Sequence, residues 1–329
     1  MAREPPGASL TVRVSGRFRD VRRNLPPPLG SGMASLAPGA GCPLYGAAPM
    51  PDLQVGSEEH KLLFCREFTR TFHPYEVRDV QWPDLDEANL ERLRALPFWG
   101  EAVCSERTAG ARVRAMADVE RDPLLREAIA MQAYEESRHA LLLESLTTHY
   151  GIKVPDGPGE KPRDAEWGFL RMGYGECFDS FFAFGLFHVA AESGIFPAPL
   201  VGIFDGVMQE EARHILFFAN WVPYRRLKLP VARQPWFHVR RGLGMSLQAI
   251  GRLRTALQLR DADAGDDFTM QVPESIGEVT LRKLGQICIG ENERRLSGYD
   301  PRLLRPRFVP RLVSLALRLA PSGSHARTD

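Results

Sequence analysis

The frame Glu-Glu-x-Arg-His occurs twice in this 329-residue chain, within YEESRHALLL at residues 134–143 and within QEEARHILFF at residues 209–218. Chance at this composition gives roughly 0.005 copies of that five-residue frame, so its repetition demands a chemical reason. A carboxylate and an imidazole three residues apart share one face of a helix. In the first copy the stripe Leu125, Ile129, Gln132, Glu136, His139, Leu143, Leu146 keeps the 3-4 spacing, and Glu136 and His139 interrupt an otherwise mostly apolar face. The second copy repeats this through Phe204, Met208, Glu211, His214, Phe218 and Trp221. Charged groups pointing into a core are costly unless paired or bound to metal. Two such pairs facing one another would supply four metal ligands, and this reading is preferred to satisfied core polars. The first Glu and the Arg of each frame are expected to be ordinary surface ion pairs at i, i+3, Glu135 with Arg138 and Glu210 with Arg213.

Carboxylate-rich ligation with only two imidazoles suits iron or manganese better than zinc or copper. Two metals need more carboxylates, and in an antiparallel hairpin residues equidistant from the loop lie at the same height. Glu106 precedes Arg121 by as many residues as Glu136 follows it, on the stripe Trp99, Val103, Glu106, Ala109, Val113. Glu101 is the rival, further from the loop and on a face with Ser105 and Thr108. In the next hairpin Glu176 and Asp179 share a face. Glu176 is taken as the ligand for its longer reach, with Asp179 the alternative or a partner that orients a ligating His.

These side chains must be held by helices, and the helical period dominates from Asp84 onward. Four long helices are expected at roughly 87–118, 123–150, 165–193 and 198–226, with further helices near 237–260, 273–297 and 306–320. Breaks rich in Asp, Gly and Pro separate the long ones, and a Pro in a first-turn position opens the second of the C-terminal helices. Residues 1–56 hold six Arg, Pro-Pro-Pro at 26–28 and much Gly and Pro, too little apolar surface for a core. A disordered tail, or translation starting at Met33 or Met50, is expected in preference to a targeting peptide. The division expected is therefore a tail over 1–56, a helical domain over 57–230 and a helical extension over 231–329.

The 42 basic and 41 acidic residues nearly cancel, which argues against nucleic acid as a partner. Five scattered cysteines without Cys-x-x-Cys spacing argue against a disulfide framework and for a reducing cytoplasm. The longest apolar stretch, Phe178 to Ala191, is short and carries Asp179 and His188, so no stable membrane insertion is expected.

Four helices carrying Glu, Glu-x-x-His, Glu, Glu-x-x-His resemble the ferritin-like di-iron carboxylate superfamily, over roughly residues 99–225. The resemblance implies an all-α, ferritin-like four-helix bundle with additional C-terminal helices. It also implies a pair of irons, or a manganese–iron pair, held by Glu106, Glu136 and His139 from one hairpin and Glu176, Glu211 and His214 from the other. Such centres activate O2 to hydroxylate, desaturate or N-oxygenate a substrate, drawing on an external electron donor. The third and fourth helices are rich in Phe, mostly core, yet able to line an apolar cavity for a small organic substrate. Iron storage and peroxide reduction are the alternatives within the superfamily. A compact cage-forming bundle does not need the C-terminal hundred residues, and a Cys-x-x-Cys iron domain is lacking. The basic amphipathic stretch RFVPRLVSLALRL, residues 307–319, is expected to pack on the bundle or to form a homodimer contact in preference to docking on a membrane.

Overall fold

The structure, a computed structural model, describes residues 53–96, 98–194, 196–262 and 280–319. Among these there are helices and no strands: α1 (Glu58–Arg70), α2 (Glu87–Ala95), α3 (Trp99–Val119), α4 (Pro123–His149), α5 (Ala165–Glu192), α6 (Ala198–Lys228), α7 (Gln234–Ala262), α8 (Leu281–Leu296) and α9 (Phe308–Leu319), with short 3-10 turns at Val77–Asp79 and Val231–Arg233. The expected N-terminal tail up to residue 52, and the helix opening expected at Pro273, lie outside the described residues. No described helix is long and apolar enough to cross a membrane.

The starts are set locally. Asp122 accepts from the amides of Leu124 and Leu125, with Pro123 in the first turn of α4, and Asp164 caps α5 by accepting from Trp167 at 2.8 Å. The first long helix expected over 87–118 is two helices. Leu96 is extended because it precedes Pro97, and a proline disfavours helical geometry in the residue before it. Trp99 joins the two pieces by donating its indole N–H to the Leu93 carbonyl at 2.7 Å.

Helix α3 packs along α4 and against α5, α5 packs against α6, and α6 closes back on α4. Their shared core includes Val113, Ile129, Phe169, Phe184, Phe217 and Trp221. Most of the Phe residues are indeed core: Phe178, Phe181, Phe184, Phe217 and Phe218 are buried, whereas Phe182 is exposed. Gly173 lets α5 approach α6, since a Cβ there would overlap the Phe218 ring, and Gly185 does the same for α5 and Cys288 of α8.

Helix α1 was not anticipated from sequence. It buries His60, Phe64, Cys65, Glu67 and Phe68 and lies across α6 and α4, with Phe64 and Phe68 packed on Phe217 at ring distances of 5.4 and 5.1 Å. His60 donates through Nε2 to Asn220 Oδ1 at 2.9 Å while its Nδ1 accepts from the Gly56 amide. The Asn220 side chain also bonds the backbone of Leu304, so one buried amide ties α1, α6 and the segment before α9 together. The helices after residue 230 do not stand apart. Helices α7, α8 and α9 all pack on α5, and α9 does so through Val309 and Val313 while Phe308, Leu312, Leu315 and Leu319 stay exposed.

Candidate metal centre

Six of the side chains singled out in the sequence converge between α3, α4, α5 and α6. Glu106, Glu136, His139 and Glu211 bring ligand atoms within 4.8 Å of one another, and Glu136, Glu176 and His214 do the same, so Glu136 belongs to both groups. The imidazoles of His139 and His214 lie 5.7 Å apart between ring centres. His139 Nδ1 stands 3.1 Å from Glu211 and 3.7 Å from Glu106, and His214 Nδ1 stands 3.0 Å from Glu136. Glu136 and both histidines are fully buried, whereas the Glu106 side chain keeps 25 % of its surface exposed.

The two rivals lie elsewhere. Glu101 is exposed on α3. Asp179 is turned to the outside of α5, where Arg252 of α7 grips both of its oxygens, one at 2.9 Å, and it orients neither histidine. Three residues along a helix is about 300°, so Glu176 and Asp179 diverge by roughly 60°, enough for a neighbouring helix to claim one of them.

The expected surface ion pairs are not on the surface. Glu135, Glu210, Arg138 and Arg213 are all at most 4 % exposed. Each glutamate serves the other helix: Glu210 accepts from Arg138 at 2.5 Å and from His139 Nε2 at 2.7 Å, and Glu135 accepts from Arg213 and from His214 Nε2 at 3.0 Å. The i, i+3 contact of Arg138 with Glu135 survives only at 3.8 Å. The cause is α1 and the chain after it, which roof the side of the repeated frames that was assigned to solvent. Arg213 donates to the Phe68 carbonyl at 3.0 Å, and Arg138 donates to the His73 carbonyl at 3.1 Å with its guanidinium 3.8 Å from the centre of the Tyr75 ring.

Other polar groups complete the surroundings. Gln132 donates to Glu136 at 3.3 Å and Glu176 at 3.5 Å, and Ser180 donates to Glu211 at 3.2 Å. Gln132 falls on the same predicted stripe as Glu136, one turn earlier, and that placement was the available signal for it. Ser180 had none.

This geometry fixes which nitrogen of each histidine faces the cluster. Nε2 is engaged by a carboxylate from the opposite helix, and Nδ1 faces the cluster, buried and without a well-aligned hydrogen bond among the described residues. Glu176 Oε1 is likewise buried and unpartnered. Three orphaned donor atoms aimed at one space, ringed by carboxylates, are the arrangement a cation would satisfy. Electrostatics agree. Burial and the charges of Glu136 and Glu211 push the Glu176 carboxyl well up, and burial also raises Glu106. Burial alone would lower the histidines, but it is outweighed for His139 by the surrounding carboxylates of Glu106, Glu210 and Glu211. For His214 the charge of Glu136 and the hydrogen bond it donates to Glu135 prevail, carrying it to about 10. Without a cation the cluster thus retains protons to offset its own negative charge.

A pH dependence follows. His214 has its pKa raised above the unfolded value, so its stabilisation of the metal-free fold is full below about 6.5 and is lost as pH rises through about 10. A cation on Nδ1 must displace that proton, so metal uptake at neutral pH is expected to release protons and to tighten as pH rises from 6.5 to 8. Calorimetry of Fe(II) binding in buffers of different ionisation enthalpy measures the release. Uptake with no proton release would contradict the assignment of Nδ1 as the ligand atom.

No family model matches the chain, and no curated protein or solved structure matches it either. The reading of the centre therefore rests on its own residues.

Proposed function

We propose that the chain is a di-iron carboxylate oxidoreductase that uses O2 to oxidise a small, largely apolar organic substrate, with α3–α6 acting as a ferritin-like four-helix bundle. The observation that carries this reading is the pair of buried, unpartnered Nδ1 atoms facing a shared set of four carboxylates. Glu106, Glu136, His139 and Glu211 would hold one metal and Glu136, Glu176 and His214 the other, with Glu136 common to both. Four carboxylates and two imidazoles fit iron, or a manganese–iron pair, better than zinc or copper. When bound in its reduced form, the metal pair supplies the electrons that activate O2.

The protein's own contribution is positional. Glu135 and Glu210 fix the two imidazoles, and the arginines that clamp those glutamates are themselves held by backbone carbonyls of α1 and the chain after it. Gln132 and Ser180 restrain the carboxylates, and the Phe68 ring packs 6.0 Å from that of His214 on the roofed side of the cluster. Repeated turnover would require an external electron donor.

The experiment that tests this is a stopped-flow oxygen reaction of protein loaded anaerobically with Fe(II). A single rapid turnover with O2 in proportion to the centres, no growth of a mineral core when iron is in excess, and a requirement for added reductant before a second turnover are expected. Continued uptake of many irons per chain would replace this reading with iron storage.

A further inference from the structure

The elements after residue 230 form one side of a partly open hollow that the candidate metal centre does not use. A cavity of about 250 Å³ lies between α5, α6, α7 and the segment leading into α9, and its walls include Phe178, Phe218, Val222 and Phe308. None of the six side chains of the candidate centre lines it. It exists because the C-terminal helices fold back on α5, which gives those residues a use that a bare four-helix arrangement would not require.

Two arginines, Arg241 and Arg307, are among its lining residues. Arg241 donates Nε to the Tyr174 hydroxyl at 3.1 Å, a neutral acceptor, and Arg307 is exposed. Neither guanidinium has a carboxylate partner among the described residues, although most buried or half-buried arginines of this protein do, such as Arg138, Arg213, Arg225 and Arg295. Local composition sharpens the contrast: residues 301–328 contain six Arg and no Asp or Glu in a chain whose net charge is only +1. An apolar hollow with two uncompensated guanidiniums at its edge is complementary to a molecule that is apolar at one end and anionic at the other. A neutral apolar occupant would leave both guanidiniums unused, and a cationic one would be repelled.

We propose that this cavity binds a small amphipathic carboxylate, its hydrocarbon against Phe178, Phe218, Val222 and Phe308 and its carboxylate on Arg241 and Arg307. The volume falls just below the usual range for drug-sized ligands, which points to a medium-length chain or a single aromatic ring. The inference does not rest on the iron reading, because the cavity and the centre share no residue.

Calorimetric titration of the metal-free full chain with octanoate, octanol and octylamine tests it. Octanoate should bind about tenfold more tightly than octanol, the effect of one or two charge-assisted hydrogen bonds, and octylamine should not bind. Arg241→Gln should erase the preference for octanoate, and Val222→Trp, which fills the cavity, should abolish binding of both. The comparison of octanoate with octanol on the unaltered protein decides the matter without any variant. Equal affinities, no binding by either at millimolar concentration, or octanoate binding that survives in folded Val222→Trp protein would each overturn the proposal.

Discussion

Glu136→Ala is expected to reduce iron binding from about two ions per chain, the number six such ligands can hold, to less than one. Glu136 is the one carboxylate whose oxygens sit with both groups of ligand atoms, so its loss opens both positions, whereas the loss of Glu106 or Glu176 opens one. Metal analysis after anaerobic Fe(II) loading and gel filtration measures this. Glu101→Ala and Asp179→Ala serve as matched controls and should retain about two irons, because one is exposed and the other is held by Arg252 on the outside of α5. The metal-free melting temperature of Glu136→Ala should not fall sharply. The substitution removes the charge facing His214 Nδ1, but it also relieves the carboxylate repulsion that raises Glu176, so the two effects offset one another. Iron content that falls equally in the Asp179→Ala protein, or a wild-type chain that holds a single zinc, would refute the two-metal arrangement.

Much of that constellation was legible in the sequence, for a physical reason. Side chains that meet between helices must obey the helical period, and the 3-4 stripes around Glu136 and Glu211 put each carboxylate on the face of its histidine. Counting back through the loop at Arg121 then placed Glu106 at the height of Glu136, because both helices rise by the same amount per residue. The same arithmetic could not separate Glu176 from Asp179, which differ by less than one turn. What separates them is Arg252, far away in sequence on α7.

The failure was at the roof. The segment EEHKLLFCREFTR carries its own signals, Ser57 as a cap and His60, Phe64 and Phe68 at intervals of four, but it is short and follows a long stretch without periodicity. Because α1 was not seen, the outer face of the repeated frames was given to solvent, and Glu135, Arg138, Glu210 and Arg213 were read as weak surface pairs. A helix-phase argument tells which residues share a face. It does not tell how many faces a neighbouring element covers.

That correction yields the second large effect. Arg213→Met is expected to destabilise the protein by about 3–5 kcal/mol, the cost of leaving one member of a buried ion pair without its partner. Glu135 would keep His214 Nε2 and only the distant Arg138, 3.8 Å away, against a full negative charge at 0 % exposure. A surface pair would cost less than about 1 kcal/mol, so chemical denaturation separates the two cases. Iron affinity should fall as well, by about 10- to 100-fold, because Glu135, no longer fixed by Arg213, holds the His214 ring less firmly with Nδ1 turned to the centre. The double variant Glu135→Leu with Arg213→Met distinguishes the two consequences. Replacing both charges by apolar side chains removes the unpaired carboxylate and should restore most of the stability. It cannot restore the hydrogen bond to Nε2, so the loss of iron affinity should persist in a protein that is again stable. Recovery of both properties together would mean that the Glu135–Arg213 pair only supports the fold. Recovery of stability alone would mean that this buried ion pair serves to aim the His214 imidazole.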